Sequence, residues 1–302
     1  MNKDFFKKLR ILDGGMGQEL HARGLVSKGT LWSTSAILDE KYHQSVVDIH
    51  LDYIEAGAQY ITANNYAVTQ PILERADLAD QLEDLTLLSL SIARDAIKES
   101  GKDIKLAASL PPLETSYRAD LILDYSKMYD QYQELANILE GEVDIIICET
   151  MAHSLEAKAA LSTIQDSTSE KWLGWTLHGN RSNTLPSGEN INEAFEVTKD
   201  LKCDAYMINC CGVNMVTESL KQLRKLTDKP IGGYANSETI ETISDDSIEI
   251  NAEEDHWESA TTIDETRYAN EVSKWVDEGA SIIAGCCRTR PSHIKKLVEL
   301  FG

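Results

Sequence analysis

Nowhere in this 302-residue sequence do 18 apolar residues run together, so no membrane-spanning helix is expected. The first residues, MNKDFFKKLRILDGG, are basic but contain no apolar stretch of signal-peptide length, and the expected location is the cytoplasm. Clusters of Lys and Arg are missing as well. The 29 basic residues stand against 50 acidic ones, a formal charge of −21, and that balance argues against nucleic-acid phosphates as partners, because binding them takes a concentrated positive surface. The seven histidines form no HExxH or other ligand pair, so none is assigned to a metal. The cysteines form no CxxC pair. The one glycine cluster, Asp13-Gly-Gly-Met-Gly17, lacks the GxGxxG spacing that cradles a pyrophosphate, which sets an open doubly wound sheet behind a barrel.

What remains is the composition of a soluble globular protein, 42% hydrophobic and 26% charged. In a reducing cytosol its six cysteines suit metal ligands, catalytic groups or buried thiols better than disulfides. The acidity suits solubility, or the gathering of a cationic substrate. Part of it is local: from Ile231 to Thr266 there are eleven Asp or Glu and no Lys or Arg, and a solvated acidic loop is expected between 238 and 265, centred on Asp245 to Glu258.

One pattern recurs along the chain. An amphipathic helix ends at an acidic residue and a glycine, and a short apolar β-type run follows: Glu55-Ala-Gly57 before QYITANNY, Glu99-Ser-Gly101 before DIKLAASL, Glu140-Gly141 before VDIIICET, and Glu278-Gly279 before ASIIAGCC. Glycine just past a helix supplies a left-handed cap, and a continuous apolar run suits a strand buried on both faces. The segment from Asp39 to Ala56 is typical, with Asp39 as cap and Tyr42, Val46, Ile49, Tyr53 and Ile54 near one face. Adding RILDGG, KWLGWTLHG, CDAYMINC and KPIGGYAN gives eight strands and a unit of about 38 residues, which predicts a single (β/α)8 TIM barrel over residues 1–302.

In such a barrel the chemistry sits at the C-terminal ends of the strands. Those ends read Asp13-Gly14-Gly15, Asn64-Asn65-Tyr66, Ser109-Leu-Pro-Pro112, Glu149-Thr150, His178-Gly179, Asn209-Cys210-Cys211, Tyr234-Ala-Asn236 and Gly285-Cys286-Cys287. Cys210, Cys211, Cys286 and Cys287 therefore converge on one rim, while Cys148 and Cys203 fall inside strands. Three thiolates with an open fourth position suit a catalytic zinc, since structural zinc sites are closed by four ligands. Spacing alone leaves buried thiols or a vicinal redox pair equally open.

The segments ILDGGMGQEL at 11, LWS at 31, VDIHLDYIEAGAQYITANNY at 47, SLPPLETSYR at 109, VDIIICETM at 143, INCCG at 208, GGYANS at 232 and AGCCRTRPSHI at 284 resemble the homocysteine S-methyltransferase family over almost the whole chain. The resemblance implies Zn2+ held by Cys210, Cys286 and Cys287, with Cys211 a spare. It further implies that Asp13, Gly14, Gly15 and Glu149 hold the amino and carboxylate groups of homocysteine: two carboxylates can pair with one ammonium, and glycine amides can approach a carboxylate. Asn209 and Asn236 are added as candidate substrate contacts, Asn236 also as a group that can approach the open metal position or serve as a turn residue. Two departures stand out. The family's Thr-Asn-Thr-Tyr is Ala63-Asn64-Asn65-Tyr66 here, and Ala284 replaces a glycine.

The implied activity is methyl transfer from a sulfonium donor, S-methylmethionine or S-adenosylmethionine, to a zinc-activated homocysteine thiolate, giving methionine. Tyr66, Trp32 and Tyr117 are candidates to line the donor's site, with core packing as the alternative. Arg288 and Arg290 can offset thiolate charge, bind a substrate carboxylate, or simply be surface charge. The alternatives carried alongside are a betaine-type or other donor, a metal-independent redox or sulfur-transfer protein using Cys286 and Cys287, and a non-catalytic homocysteine or zinc sensor.

Overall fold

The computed structural model describes residues 9–242 and 260–302. Among them ten strands form: β1 (Arg10–Ile11), β2 (Tyr60–Thr62), β3 (Lys105–Leu110), β4 (Ile145–Met151), β5 (Glu170–Trp175), β6 (Ala205–Gly212), β7 (Ile231–Asn236), β8 (Glu238–Ile240), β9 (Ala260–Thr262) and β10 (Ala280–Gly285). Eight of them make one parallel sheet in the order β1-β10-β7-β6-β5-β4-β3-β2. A parallel bridge between Leu12 and Tyr60, beside a hydrogen bond from the Gln59 N–H to the Ile11 carbonyl, joins the two ends. The result is the expected (β/α)8 barrel.

Local sequence explains the repeat. Gly57, Gly101, Gly141 and Gly279, the four glycines read as helix stops, all have positive φ, between 64° and 104°, a conformation that costs glycine little. The segment after Asp39 begins with a 3-10 turn, Glu40–Tyr42, and continues as the helix His43–Glu55. Asp39 accepts a hydrogen bond from the Lys41 amide, and Val46, Ile49, Tyr53 and Ile54 are buried. No helix among the described residues is long and apolar enough to cross a membrane.

Strand alternation divides the apolar residues into two cores. Leu12, Tyr60, Ala107, Ile145, Ile147, Trp172, Ala205, Met207, Tyr234, Ile282 and Ala284 pack with one another inside the barrel, and a larger set fills the space between strands and helices. At the N-terminal end Arg10 lies 5.6 Å and 5.7 Å from the ring centroids of Tyr60 and Trp172 and is paired with Glu170 at 3.0 Å, which plugs the bottom with a neutralised cation. The other end is open.

The strand β8 and its antiparallel partner β9 pair at the two ends of the stretch expected as a loop between 238 and 265, which corrects that expectation for Glu238–Ile240 and Ala260–Thr262. The loop expected around Asp245 to Glu258 lies outside the described residues.

Candidate active site

A cavity of about 350 Å³ opens at the C-terminal rim of the barrel. Its walls come from the ends of β1, β2, β3, β4, β6, β7 and β10, and from the loops that carry Trp32 and Tyr117. Of the seven non-glycine residues with positive φ among the described residues, five are Trp32, Tyr117, Thr150, Cys210 and Arg288, each on this wall or next to a residue that is. Left-handed backbone in bulky residues is held only where the surroundings over-determine it, and it concentrates at working sites.

Three thiols meet on the wall: Cys210, Cys286 and Cys287, whose sulfurs all lie within 4.8 Å of one another. Cys286 arrives by simple alternation after Ile282 and Ala284. Cys210 does not. In β6 the inward residues Ala205 and Met207 set a parity that would bring Cys211 inward and turn Cys210 out. The left-handed backbone at Cys210, φ +54°, and a register shift between Asn209 and Gly212 reverse this. Cys210 then faces the cavity and Cys211 joins the outer core.

The sulfur of Cys210 lies 2.8 Å from that of Cys286 and 3.9 Å from that of Cys287. A tetrahedral zinc with Zn–S bonds of about 2.3 Å holds its sulfurs about 3.8 Å apart, so a small opening of the closer pair accommodates the ion. Hydrogen bonds from the Cys210 and Cys286 thiols hold Cys287 well below its ordinary pKa, while Cys210 and Cys286 are pushed up. The cluster thus carries one negative charge readily and needs a cation to carry three. The donor set and the geometry fit zinc.

Beside the thiols stand two carboxyls. Asp13 accepts hydrogen bonds from the Thr62 amide at 2.8 Å and the Thr62 hydroxyl at 3.2 Å. Glu149 follows Ile145 and Ile147 on the inward parity of β4; it accepts from the Ser109 hydroxyl, and from Tyr234 at 3.1 Å. Burial raises both pKa values to about 7 against the pull of these donors, and Glu149 adds to the rise at Asp13. Two buried carboxyls poised near neutrality can ionise when a cation is brought between them.

Of the residues singled out from sequence, Asp13, Gly14, Gly15, Glu149, Cys210, Cys286 and Cys287 line the cavity, as do Trp32, Tyr66, Tyr117 and Arg288. The amide of Gly15 is taken by the Thr289 hydroxyl at 3.1 Å, so this glycine serves by its missing side chain: a Cβ there would stand 2.5 Å from the Cys286 carbonyl oxygen. Asn209 and Asn236, expected as substrate contacts, are fully buried behind the wall and are spent on the protein. The Asn209 amide accepts from the Thr150 N–H at 3.0 Å and donates to its hydroxyl at 2.8 Å. Asn236 accepts from the Cys287 N–H at 3.1 Å and donates to Glu238 at 3.0 Å. Arg290 reaches Glu19 at 3.4 Å and stays half exposed. Cys148 and Cys203 are core thiols.

Ser109 and Tyr234 stood among the strand ends with no role given to them, and Thr62 and Glu238 were not singled out. The first three share the inward parity of their strands, which is the signal that could have found them. Glu238 sits on the unforeseen hairpin and had none.

The family model described as homocysteine S-methyltransferase matches residues 10–301. Homocysteine S-methyltransferase 2 of Arabidopsis thaliana is 27% identical, over 98% of this chain and 94% of its own. Selenocysteine Se-methyltransferase of Brassica oleracea var. italica is 28% identical, over 95% of this chain and 88% of its own. Among solved structures, the metallated form of the homocysteine methyltransferase MmuM from Escherichia coli matches with a TM-score of 0.80 at 23% identity, covering 99% of each chain. At that identity the last likeness is one of fold.

Proposed function

The chain belongs to the homocysteine S-methyltransferase family of methyltransferases, and on that premise we propose that it moves a methyl group from a sulfonium, S-methylmethionine or S-adenosylmethionine, to homocysteine, forming methionine. The proposal takes residues 1–302 as one catalytic domain working in the cytoplasm. The observation that carries it is the meeting of three thiols from two strands, sulfurs within 4.8 Å, beside two buried carboxyls in one cavity.

Cys210, Cys286 and Cys287 would hold zinc. Bound there, the ion supplies the Lewis acidity that lowers the pKa of an acceptor thiol from about 8.5 and makes it a nucleophile at neutral pH. The protein's own groups do the rest. Asp13 and Glu149 receive the acceptor's ammonium and are ionised by it. Tyr117, whose hydroxyl lies 2.9 Å from the Cys210 sulfur, offsets part of the charge gathered on the thiolates. The acceptor sulfur attacks the donor methyl in line: a new S–C bond forms, the old one breaks, and its electron pair stays on the donor sulfur as a neutral thioether. Charge is cancelled rather than created.

The test is zinc content together with methionine formation from S-methylmethionine, S-adenosylmethionine and betaine, for wild type and Cys286→Ala. One zinc, lost in the variant along with methyl transfer, is expected. A metal-free protein with full activity would return Cys286 and Cys287 to thiol redox or sulfur-transfer chemistry. Bound zinc and homocysteine with no transfer from any donor would leave a sensor. Selenocysteine belongs in the same assay, because a selenol fits the same geometry and a Brassica relative is named for it.

A further inference from the structure

The wall of the cavity carries three carboxyls, Asp13, Glu149 and Glu238, and the three thiols, but among the described residues a single basic side chain, Arg288. Its place is fixed by a closed ring of bonds. Arg288 follows Cys287 in the chain. The Cys287 N–H donates to Asn236 at 3.1 Å, Asn236 donates to Glu238 at 3.0 Å, and Glu238, fully buried, accepts from Arg288 Nη1 at 2.6 Å. Thr262 on the hairpin lies 3.3 Å from the same Nη1, and the Arg288 amide donates to Gln18. The left-handed backbone at Arg288, φ +62°, turns the chain into this ring.

The ring ties a metal-ligand backbone to a guanidinium at a set distance. A guanidinium has five N–H donors in a planar fork. Nη1 is committed to Glu238 and Thr262, so the fork has capacity for a carboxylate on its other edge. The Arg288 side chain is 39% exposed, whereas Asp13 and Glu149 are 6% and 8% exposed as residues. The cation is thus the solvent-accessible charged group of the wall, and the two carboxyls are the buried ones.

An acceptor amino acid fills the buried end first, since its sulfur must reach the thiols and its ammonium the two carboxyls. The donor then arrives from the mouth. A donor with a carboxylate would be repelled by the acidic and thiolate wall unless a cation met it, and Arg288 is the group placed to do so. In an amino-acid sulfonium four bonds separate the sulfur from the carboxylate carbon. Arg288 follows Cys287 directly and lines the same cavity as the thiols, the neighbourhood in which a donor whose sulfur approaches them would place its carboxylate.

We propose that Arg288 anchors the α-carboxylate of the methyl donor, with Glu238 and Asn236 as positioning residues, and that the site thereby selects amino-acid sulfoniums over sulfoniums lacking a carboxylate. This inference rests on the methyl-transfer reading above. It assigns Arg288 a specificity role, not a part in the bond exchange.

The test compares S-methylmethionine with trimethylsulfonium as donors to homocysteine, in wild type, Arg288→Gln and Arg288→Lys, with zinc content and homocysteine affinity measured on each. In Arg288→Gln the preference in kcat/KM for S-methylmethionine is expected to fall about tenfold or more through KM, as loss of a charge-assisted hydrogen bond predicts. Arg288→Lys should recover part of it. An unchanged preference, or a loss that falls on homocysteine affinity instead, overturns the assignment. If wild type transfers no methyl group at all, the functional reading fails separately. Calorimetric binding of S-methylmethionine to wild type and Arg288→Gln then still decides whether the arginine holds the carboxylate, a weakening of about tenfold supporting it and equal binding refuting it.

Discussion

Asp13 and Glu149 hold their protons in the ligand-free fold up to about pH 7, whereas their ordinary values are 3.8 and 4.5. Between those limits the folded protein binds more protons than the unfolded chain, so ligand-free stability falls as pH rises and the cost of the buried charges is complete above about 7. An ammonium favours the ionised pair, and the opposite trend follows for binding. Homocysteine affinity should rise as pH climbs from 6 towards about 7, by up to about tenfold per unit for each proton displaced, and the carboxyl-linked rise should level off above it; Glu149→Gln should flatten the curve, and calorimetry at several pH values in buffers of different ionisation enthalpy would check both. Asn236 acts one step further out. Asn236→Ala leaves the Cys287 N–H without its acceptor, so zinc affinity should drop about 10- to 100-fold. Chelator competition measures that loss. An unchanged zinc affinity would show that the Cys287 backbone keeps its place without the amide.

At the scale of the element, the site depends on two irregular strands that brace each other. The register of β4 shifts between Cys148 and Met151, at the left-handed Thr150, and that of β6 shifts at Cys210. The Asn209 amide, bonded twice to Thr150, ties one bulge to the other. Gly174 on β5 makes room for it: a Cβ there would lie 2.8 Å from Asn209 Oδ1 and 3.1 Å from the Tyr234 hydroxyl. Gly174→Ala should therefore destabilise the protein by about 1–3 kcal/mol, as overpacking does, and disturb Cys210 and Glu149 together. Thermal melting and zinc affinity should both fall. A variant that melts like wild type would mean that the amide has slack the distances do not suggest.

For the whole molecule, the inner and outer cores are built from apolar side chains, and of the three clustered thiols only Cys286 packs against one of them. Chelation should accordingly abolish methyl transfer while far-UV circular dichroism stays that of a folded barrel. The melting temperature should fall only by the lost binding free energy. Loss of the helical signal on chelation would make the thiol cluster structural instead. The charge of −21 works against the compact state through self-repulsion, and salt screens it over a Debye length of about 8–10 Å. Adding salt up to about 0.15 M should raise the melting temperature, as a simple titration would show.

The barrel was legible in the sequence because its causes are local: glycine stops, apolar runs and helical periodicity each act over a few residues, and their repetition admits few other folds. That the rim cysteines, Asp13 and Glu149 meet was legible for a related reason, since strand ends in a barrel share one rim; which of them act together came from the family resemblance. What lay beyond the sequence was anything set by bonds between distant segments. Strand parity alone points Cys211 inward; the family resemblance singled out Cys210, and the bulge on β6 is the physical reason it faces the cavity. Asn209 and Asn236 looked like substrate contacts until their amides were found spent on Thr150, Cys287 and Glu238. The ring that holds Arg288 joins a barrel strand, a hairpin and a turn. Sequence determined which groups arrive at the rim, because periodicity is local. Tertiary structure decided which way each one faces, because a buried polar group takes whatever partner the neighbouring strands bring within reach.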